Sequence, residues 1–242
     1  MPNNWRRAVL KVEHLNAGYG DIQVLWDISL EIRTGEVVAL IGSNGAGKST
    51  LLWTLSGLLK PMSGSVQFEG EEIGGAPPDR IVSLGLTQVP QGRRLFAGLT
   101  VRENLLQGAY SRSDRGGIAE DLDFVLELFP RLRERYHQAA GSMSGGEQQM
   151  CAVGRGLMAR PKLLMVDEVS LGLAPIVVEA IYEAISKVRA RGMTVLIVEQ
   201  DVQVALEQAD RGYVLDVGAL LMSGAASDLL ANPRIREAYL GL

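Results

Sequence analysis

The eight-residue run Gly42-Ser43-Asn44-Gly45-Ala46-Gly47-Lys48-Ser49 constrains this chain more than any other feature. It follows the apolar Val37-Val38-Ala39-Leu40-Ile41 and leads into Thr50-Leu51-Leu52-Trp53-Thr54-Leu55. Strand, glycine-rich turn and helix start come in the order of a P-loop, with Lys and Ser at its fixed positions. A polyphosphate has to be wrapped by main-chain N–H groups. Glycine lets the backbone make approaches and turns that a Cβ forbids. The helix start adds unpaired donors and a favourable dipole. Lys48 is placed to reach terminal phosphates, and the Ser49 hydroxyl to ligate Mg²⁺. The alternative, a glycine-rich structural loop, does not account for the flanking strand and helix.

The chain has 242 residues, enough for one large domain or two small ones, and its 47% hydrophobic content allows a sizeable core. A net charge of −4 gives no bulk basic signal for nucleic acid, although a local basic patch stays open. The single cysteine, Cys151, excludes an intramolecular disulfide and fits a reducing compartment; its apolar helical surroundings suit core packing. No segment is apolar for long enough to cross a bilayer, and Arg6-Arg7 is not followed by a signal-peptide core. The Arg pair reads as a solvated end. The expectation is a soluble intracellular protein that meets a membrane only through partners.

No internal repeat or low-complexity tract is present. Residues 9–15 and 22–32 alternate apolar and polar and predict antiparallel strands. Residues 64–70 and 84–89 predict two further short strands. From about residue 100 to 158 the spacing of Val101, Leu105 and Leu106, then of Leu122, Val125, Leu126 and Phe129, is helical, with Pro130 as a stop. Strand–helix alternation returns with Leu163-Leu164-Met165-Val166-Asp167 and Thr194-Val195-Leu196-Ile197-Val198-Glu199. Between them Pro175 opens a helix whose face carries Val177, Ile181, Ile185 and Val188, with Gly192 at its end. An α/β core thus flanks a helical insert.

Asp167-Glu168 ends a buried strand, where phosphoryl chemistry needs one acid for Mg²⁺ and a second carboxylate to polarise attacking water. A solvated strand end is the alternative, and the P-loop tips the balance. Ser144-Gly145-Gly146-Glu147-Gln148-Gln149 precedes a helical run; Ser144 suits a helix cap, and its hydroxyl with the glycine N–H groups would make a second anion-binding surface.

These residues together resemble the ATP-binding-cassette (ABC) ATPases, whose signature motif Ser144-Gly145-Gly146-Glu147 matches. The resemblance implies an α/β P-loop NTPase core with an N-terminal antiparallel β-subdomain and an inserted α-helical subdomain. It covers residues 9–240 as one ATPase domain: core and β-subdomain at about 9–90 and 161–240, helical subdomain at about 91–160. It implies an ATPase using ATP and Mg²⁺. ATP would be held by Tyr19 and by Gly42, Ser43, Asn44, Gly45, Ala46, Gly47, Lys48, Ser49 and Thr50. Residues Ser144 to Glu147 would cover the nucleotide of a partner subunit. Ser49, Gln91 and Asp167 would hold Mg²⁺, and Glu168, Lys48, Gln91 and Gln200 would serve catalysis. Tyr19 matches the aromatic that stacks on adenine, with packing in a strand core as the alternative. Pro161 precedes the acidic strand, as is usual in the family.

The wording narrows further. Arg131-Leu132, the stretch from Met143 to Met150, Ser170-Leu171-Gly172-Leu173-Ala174-Pro175, Val198-Glu199-Gln200, residues 209–215, Leu229-Leu230-Ala231-Asn232-Pro233 and Ala238-Tyr239-Leu240-Gly241 are similar to the LivF type of bacterial branched-chain amino acid importer ATPases. Urea, amide and other amino acid importers share much of this wording, and a soluble non-transport ABC ATPase is the more remote reading. The resemblance implies transmembrane permease subunits, a second ABC ATPase in a LivG-like heterodimer or a homodimer, an indirect solute-binding protein and no nucleic acid. It implies a cytoplasmic chain, peripheral on the inner face of the membrane. Three positions depart from the broad family: Gln200 replaces histidine, Ala174 an aspartate in the loop crossing the dimer interface, and Val169 a proline. Arg93-Arg94 reads either as an electropositive edge toward a membrane subunit or as a solvated loop.

Overall fold

The structure, a computed structural model, describes residues 7–240. Arg6 of the basic pair and Gly241 near the C-terminus lie outside the described residues.

Strands β1 (Ala8–Tyr19) and β2 (Ile22–Arg33) pair antiparallel, and β3 (Val37–Ile41) leads into α1 (Lys48–Leu55). Strands β4 (Ser63–Phe68) and β5 (Glu71–Glu72) complete a four-stranded sheet in the order β2-β1-β4-β5. Helix α2 (Pro78–Leu84) and β6 (Leu86–Val89) follow. Leu84, expected to start a strand, instead ends α2. Pro78 supplies a first-turn proline and Gly85 a left-handed stop, so the strand begins two residues later.

Helices α3 (Val101–Gln107), α4 (Arg115–Leu128), α5 (Pro130–Glu134) and α6 (Gly145–Met158) fill the stretch between β6 and β7. Pro130 does stop α4, but it also occupies the first turn of α5, where its missing N–H costs nothing. Then come β7 (Leu163–Asp167), α7 (Pro175–Ala190), β8 (Thr194–Glu199), α8 (Val202–Gln208), β9 (Arg211–Asp216), β10 (Ala219–Ala225), α9 (Ala226–Ala231) and α10 (Pro233–Ile235).

The second sheet has six strands in the order β10-β9-β3-β8-β7-β6, all parallel except the edge strand β10. The strands β3, β7 and β8 are buried at every residue, as strands covered on both faces are. Alternate residues divide between two cores. Val37, Ala39 and Ile41 join the helices α3 to α8; Val38 and Leu40 face the antiparallel sheet and α1. Cys151 is buried in the first core, which pushes its thiol pKa up to about 12. Central β3, β8 and β7 therefore end side by side, and their C-terminal ends carry Ile41, Glu199 and Asp167. In an open parallel sheet this is the edge where ligands bind. Among the described residues no helix is long and apolar enough to cross a membrane.

Candidate functional site

The turn after β3 wraps tightly for two reasons. A Cβ on Gly42 would lie 2.2 Å from the Leu215 carbonyl oxygen, so only glycine lets the loop leave the sheet against β9. Gly47 caps α1 at φ 107°, in left-handed backbone, and no side chain bonds the first N–H groups of that helix. The backbone N–H groups of its first turn are left uncapped by side chains, the arrangement that suits an anion.

Lys48 is buried and bends back over this loop. Its Nζ donates to the Gly42 carbonyl at 2.8 Å and the Ser43 carbonyl at 3.2 Å. The same nitrogen lies 3.4 Å from Glu168 Oε1. On the other side of that carboxylate, Gln91 Nε2 donates to Glu168 Oε2 at 2.7 Å. Gln91 comes from the loop after β6 and Glu168 from the residue after β7, so adjacent parallel strands deliver the pair. Glu168 has φ 45°, a left-handed conformation that a non-glycine residue adopts only under constraint.

A cavity of about 350 Å³ opens beside these groups. Ser43, Asn44, Gly45, Gly47, Lys48, Ser49 and Thr50 of the P-loop and α1 line it, together with Gln91 and Glu168. Tyr19 and Val24 from the β1–β2 hairpin also line it. Tyr19 is 42% exposed; its hydroxyl lies 3.3 Å from Thr50 Oγ1 and its ring meets Trp53 edge-on at 6.1 Å between centroids. It is therefore a wall residue and not a core aromatic. Gly42 and Ala46 shape the loop without lining the cavity.

Asp167, one residue before Glu168, is 4% exposed. Burial and then the neighbouring Glu168 charge push its carboxyl up to about 6; the Gln91 backbone N–H and Lys48 act in the opposite direction.

Two other groups expected from the sequence stand apart. Gln200 is exposed in an adjoining depression of about 550 Å³ whose wall includes Glu168, Ser170 and Gly172. Ser144, Gly145, Gly146 and Glu147 form the start of α6, outside the P-loop cavity. There Ser144 Oγ accepts from the Glu147 N–H at 3.3 Å while Glu147 Oε2 accepts from the Ser144 N–H at 2.9 Å. The spacing Ser-x-x-Glu is itself the sequence signal for this reciprocal cap. Arg93 reaches over Gly145 and donates to Gln148 Oε1 at 3.5 Å, while Arg155 of α6 donates to the Arg94 carbonyl at 2.8 Å and the Arg93 carbonyl at 3.3 Å. The loop holding Gln91 is thus tied to the same helix. Trp53 and Val24 were not expected at the site. Trp53 lies one helical turn after Thr50, and Val24 two residues past Ile22, the cross-strand partner of Tyr19, both signals available only once the elements are placed.

A glycine-rich loop between a parallel strand and a helix, with a buried lysine and a consecutive acid pair at the end of β7 in the same sheet, defines a P-loop nucleoside triphosphatase. Comparison with known proteins carries this further. The ABC transporter family model matches residues 25–170. BraG of Pseudomonas aeruginosa, a high-affinity branched-chain amino acid transport ATP-binding protein, is 52% identical over 96% of this chain and all of that protein. LivF of Archaeoglobus fulgidus, a probable branched-chain amino acid transport ATP-binding protein, is 38% identical over 97% of this chain and 99% of that one. Among solved structures, the ADP conformation of MJ1267, an ATP-binding cassette of an ABC transporter, superposes with a TM-score of 0.86 at 29% identity, covering 98% of this chain and all of that one. The chain belongs to the ABC transporter family. It is a nucleotide-binding ATPase with the ABC cassette fold.

Proposed function

We propose that this chain is the ATP-hydrolysing subunit of a membrane importer for branched-chain amino acids. The convergence of Lys48, Gln91 and Glu168 over the P-loop carries the hydrolytic part of this reading. Its support for the cargo is the identity to BraG. The α- and β-phosphates would lie on the N–H groups of residues 43–50, with adenine against Tyr19. Lys48 would leave the loop carbonyls for the terminal phosphates, where its charge lowers the barrier to transfer. Glu168 would accept the proton of the attacking water, oriented by Gln91 on one side and Gln200 on the other. The residues present suit Mg²⁺: the Ser49 hydroxyl, the Gln91 side chain and the Asp167 carboxylate form the kind of sparse oxygen set this ion shares with phosphates. When bound, Mg²⁺ neutralises charge on the phosphate oxygens.

The chain works as a single cassette over residues 9–240, with residues 91–160 as a helical unit carrying the Ser144–Glu147 cap to a partner's nucleotide. That placement outside the chain's own cavity supports a dimer, with a LivG-like second ATPase as partner. Transmembrane permeases bind this dimer at the inner face of the cell membrane, and an external solute-binding protein delivers cargo to them without touching this chain. A gentle pull-down of the chain from solubilised membranes, read by mass spectrometry, tests the assembly. We expect two hydrophobic permeases and a second cassette ATPase; recovery of soluble nucleic-acid or ribosomal partners alone would sink the transport reading.

A further inference from the structure

Glu199 ends β8 with 1% of its surface exposed. A carboxylate buried this deeply is costly unless its lone pairs are filled. Three neutral donors fill them. Ser170 N–H donates to Oε1 at 3.1 Å, Ser170 Oγ to Oε2 at 2.8 Å, and the buried Tyr182 hydroxyl of α7 to Oε1 at 3.1 Å. Burial pushes the Glu199 pKa up, and these hydrogen bonds oppose that shift.

The connections matter because of what they flank. Ser170 is two residues past Glu168, and Gln200 is the residue after Glu199. The Glu168 N–H also donates to the Val198 carbonyl at 2.8 Å. The left-handed turn at Glu168 is thus fastened to the end of β8 at both of its sides, by backbone before it and by the Glu199 carboxylate after it. A strained residue persists only where its surroundings over-determine it.

We infer that Glu199 is a positioning residue for hydrolysis: it holds the Glu168 turn and sets Glu168 at a fixed distance from Gln200. The inference rests on the reading of Glu168 as the base. Glu199 is buried, is held by Ser170 and Tyr182 and does not line the P-loop cavity, so its loss acts on the chemical step and leaves the P-loop intact. In Glu199→Gln the amide has the same shape but offers one acceptor to three donors.

The test is steady-state MgATP hydrolysis by the full chain isolated with its native partners. We expect Glu199→Gln to lower kcat about tenfold while KM for MgATP stays within about twofold. Tyr182→Phe, which removes one donor, should lower kcat about threefold, and adding it to Glu199→Gln should cause no further loss. A Glu199→Gln variant with wild-type kcat, or with a raised KM and unchanged kcat, overturns the inference. Should that variant not fold, by near-ultraviolet circular dichroism, Tyr182→Phe and Ser170→Ala decide the matter: reduced kcat at constant KM supports the inference and wild-type kcat in both overturns it. Glu168→Gln separates the two readings. Full activity there removes the base itself, whereas an inactive Glu168→Gln beside an active Glu199→Gln removes only the role of Glu199.

Discussion

Gln200 stands exposed beside Glu168, at the position where the family resemblance implies a histidine. A glutamine amide donates a hydrogen bond but carries no charge at any pH. Hydrolysis should therefore show no histidine titration near neutral pH, since neither histidine lines the cavity: His14 of β1 is paired with Asp27 of β2, and the His137 ring meets Tyr136 edge-on. A pH–rate profile of the purified complex checks this. A step that Gln200→His introduces near pH 6.5 would mark the position as the sensor; turnover raised by orders of magnitude in that variant would contradict the view that the glutamine site is fully competent. At this scale the motif residues were legible because they lie within a few positions of one another, so spacing alone encodes their chemistry. The partners of Glu199 were not. Ser170 and Tyr182 reach it only through the parallel register of β7 and β8 and the seating of α7.

Helix α6 carries two jobs in one element. Its first turn presents Ser144, Gly145 and Gly146, and its length packs Cys151, Val153 and Leu157 into the core. The Ser144–Glu147 cap fixes where the helix starts and hence where those glycine N–H groups point. Ser144→Ala should cost about 1 kcal/mol. Thermal melting of the variant should show a fall of roughly 2–4 °C for a chain of this size, with nucleotide affinity of the isolated chain unchanged because the cap lies outside the P-loop cavity. An unchanged melting temperature would show that the cap contributes nothing. The buried strands read clearly from sequence because both their faces are covered and the apolar run is unbroken. Helix α2 did not, since seven residues give too little periodicity and its signal lies in Pro78 and Gly85 at its ends. Pro130 was half legible: a stop signal and a start signal are the same residue when two helices meet.

Across the whole molecule, one sheet edge gathers the P-loop, the acidic pair and the Glu199–Gln200 end of β8. The strand order β9-β3-β8-β7-β6 brings this about, and no spacing in the sequence states that order. The Ser144–Glu147 cap of the same chain does not line this cavity, which fits a site completed by a second cassette. Glu168 joins the two scales, since it takes hydrogen bonds within the chain and would act on water at the closed interface. The most direct measurement is MgATP turnover and MgATP-dependent dimerisation of Glu168→Gln. This variant should bind MgATP, accumulate as a closed dimer and lose turnover by at least about a hundredfold, the scale of a positioned general base. Unimpaired steady-state hydrolysis would contradict this and remove Glu168 from the role of base.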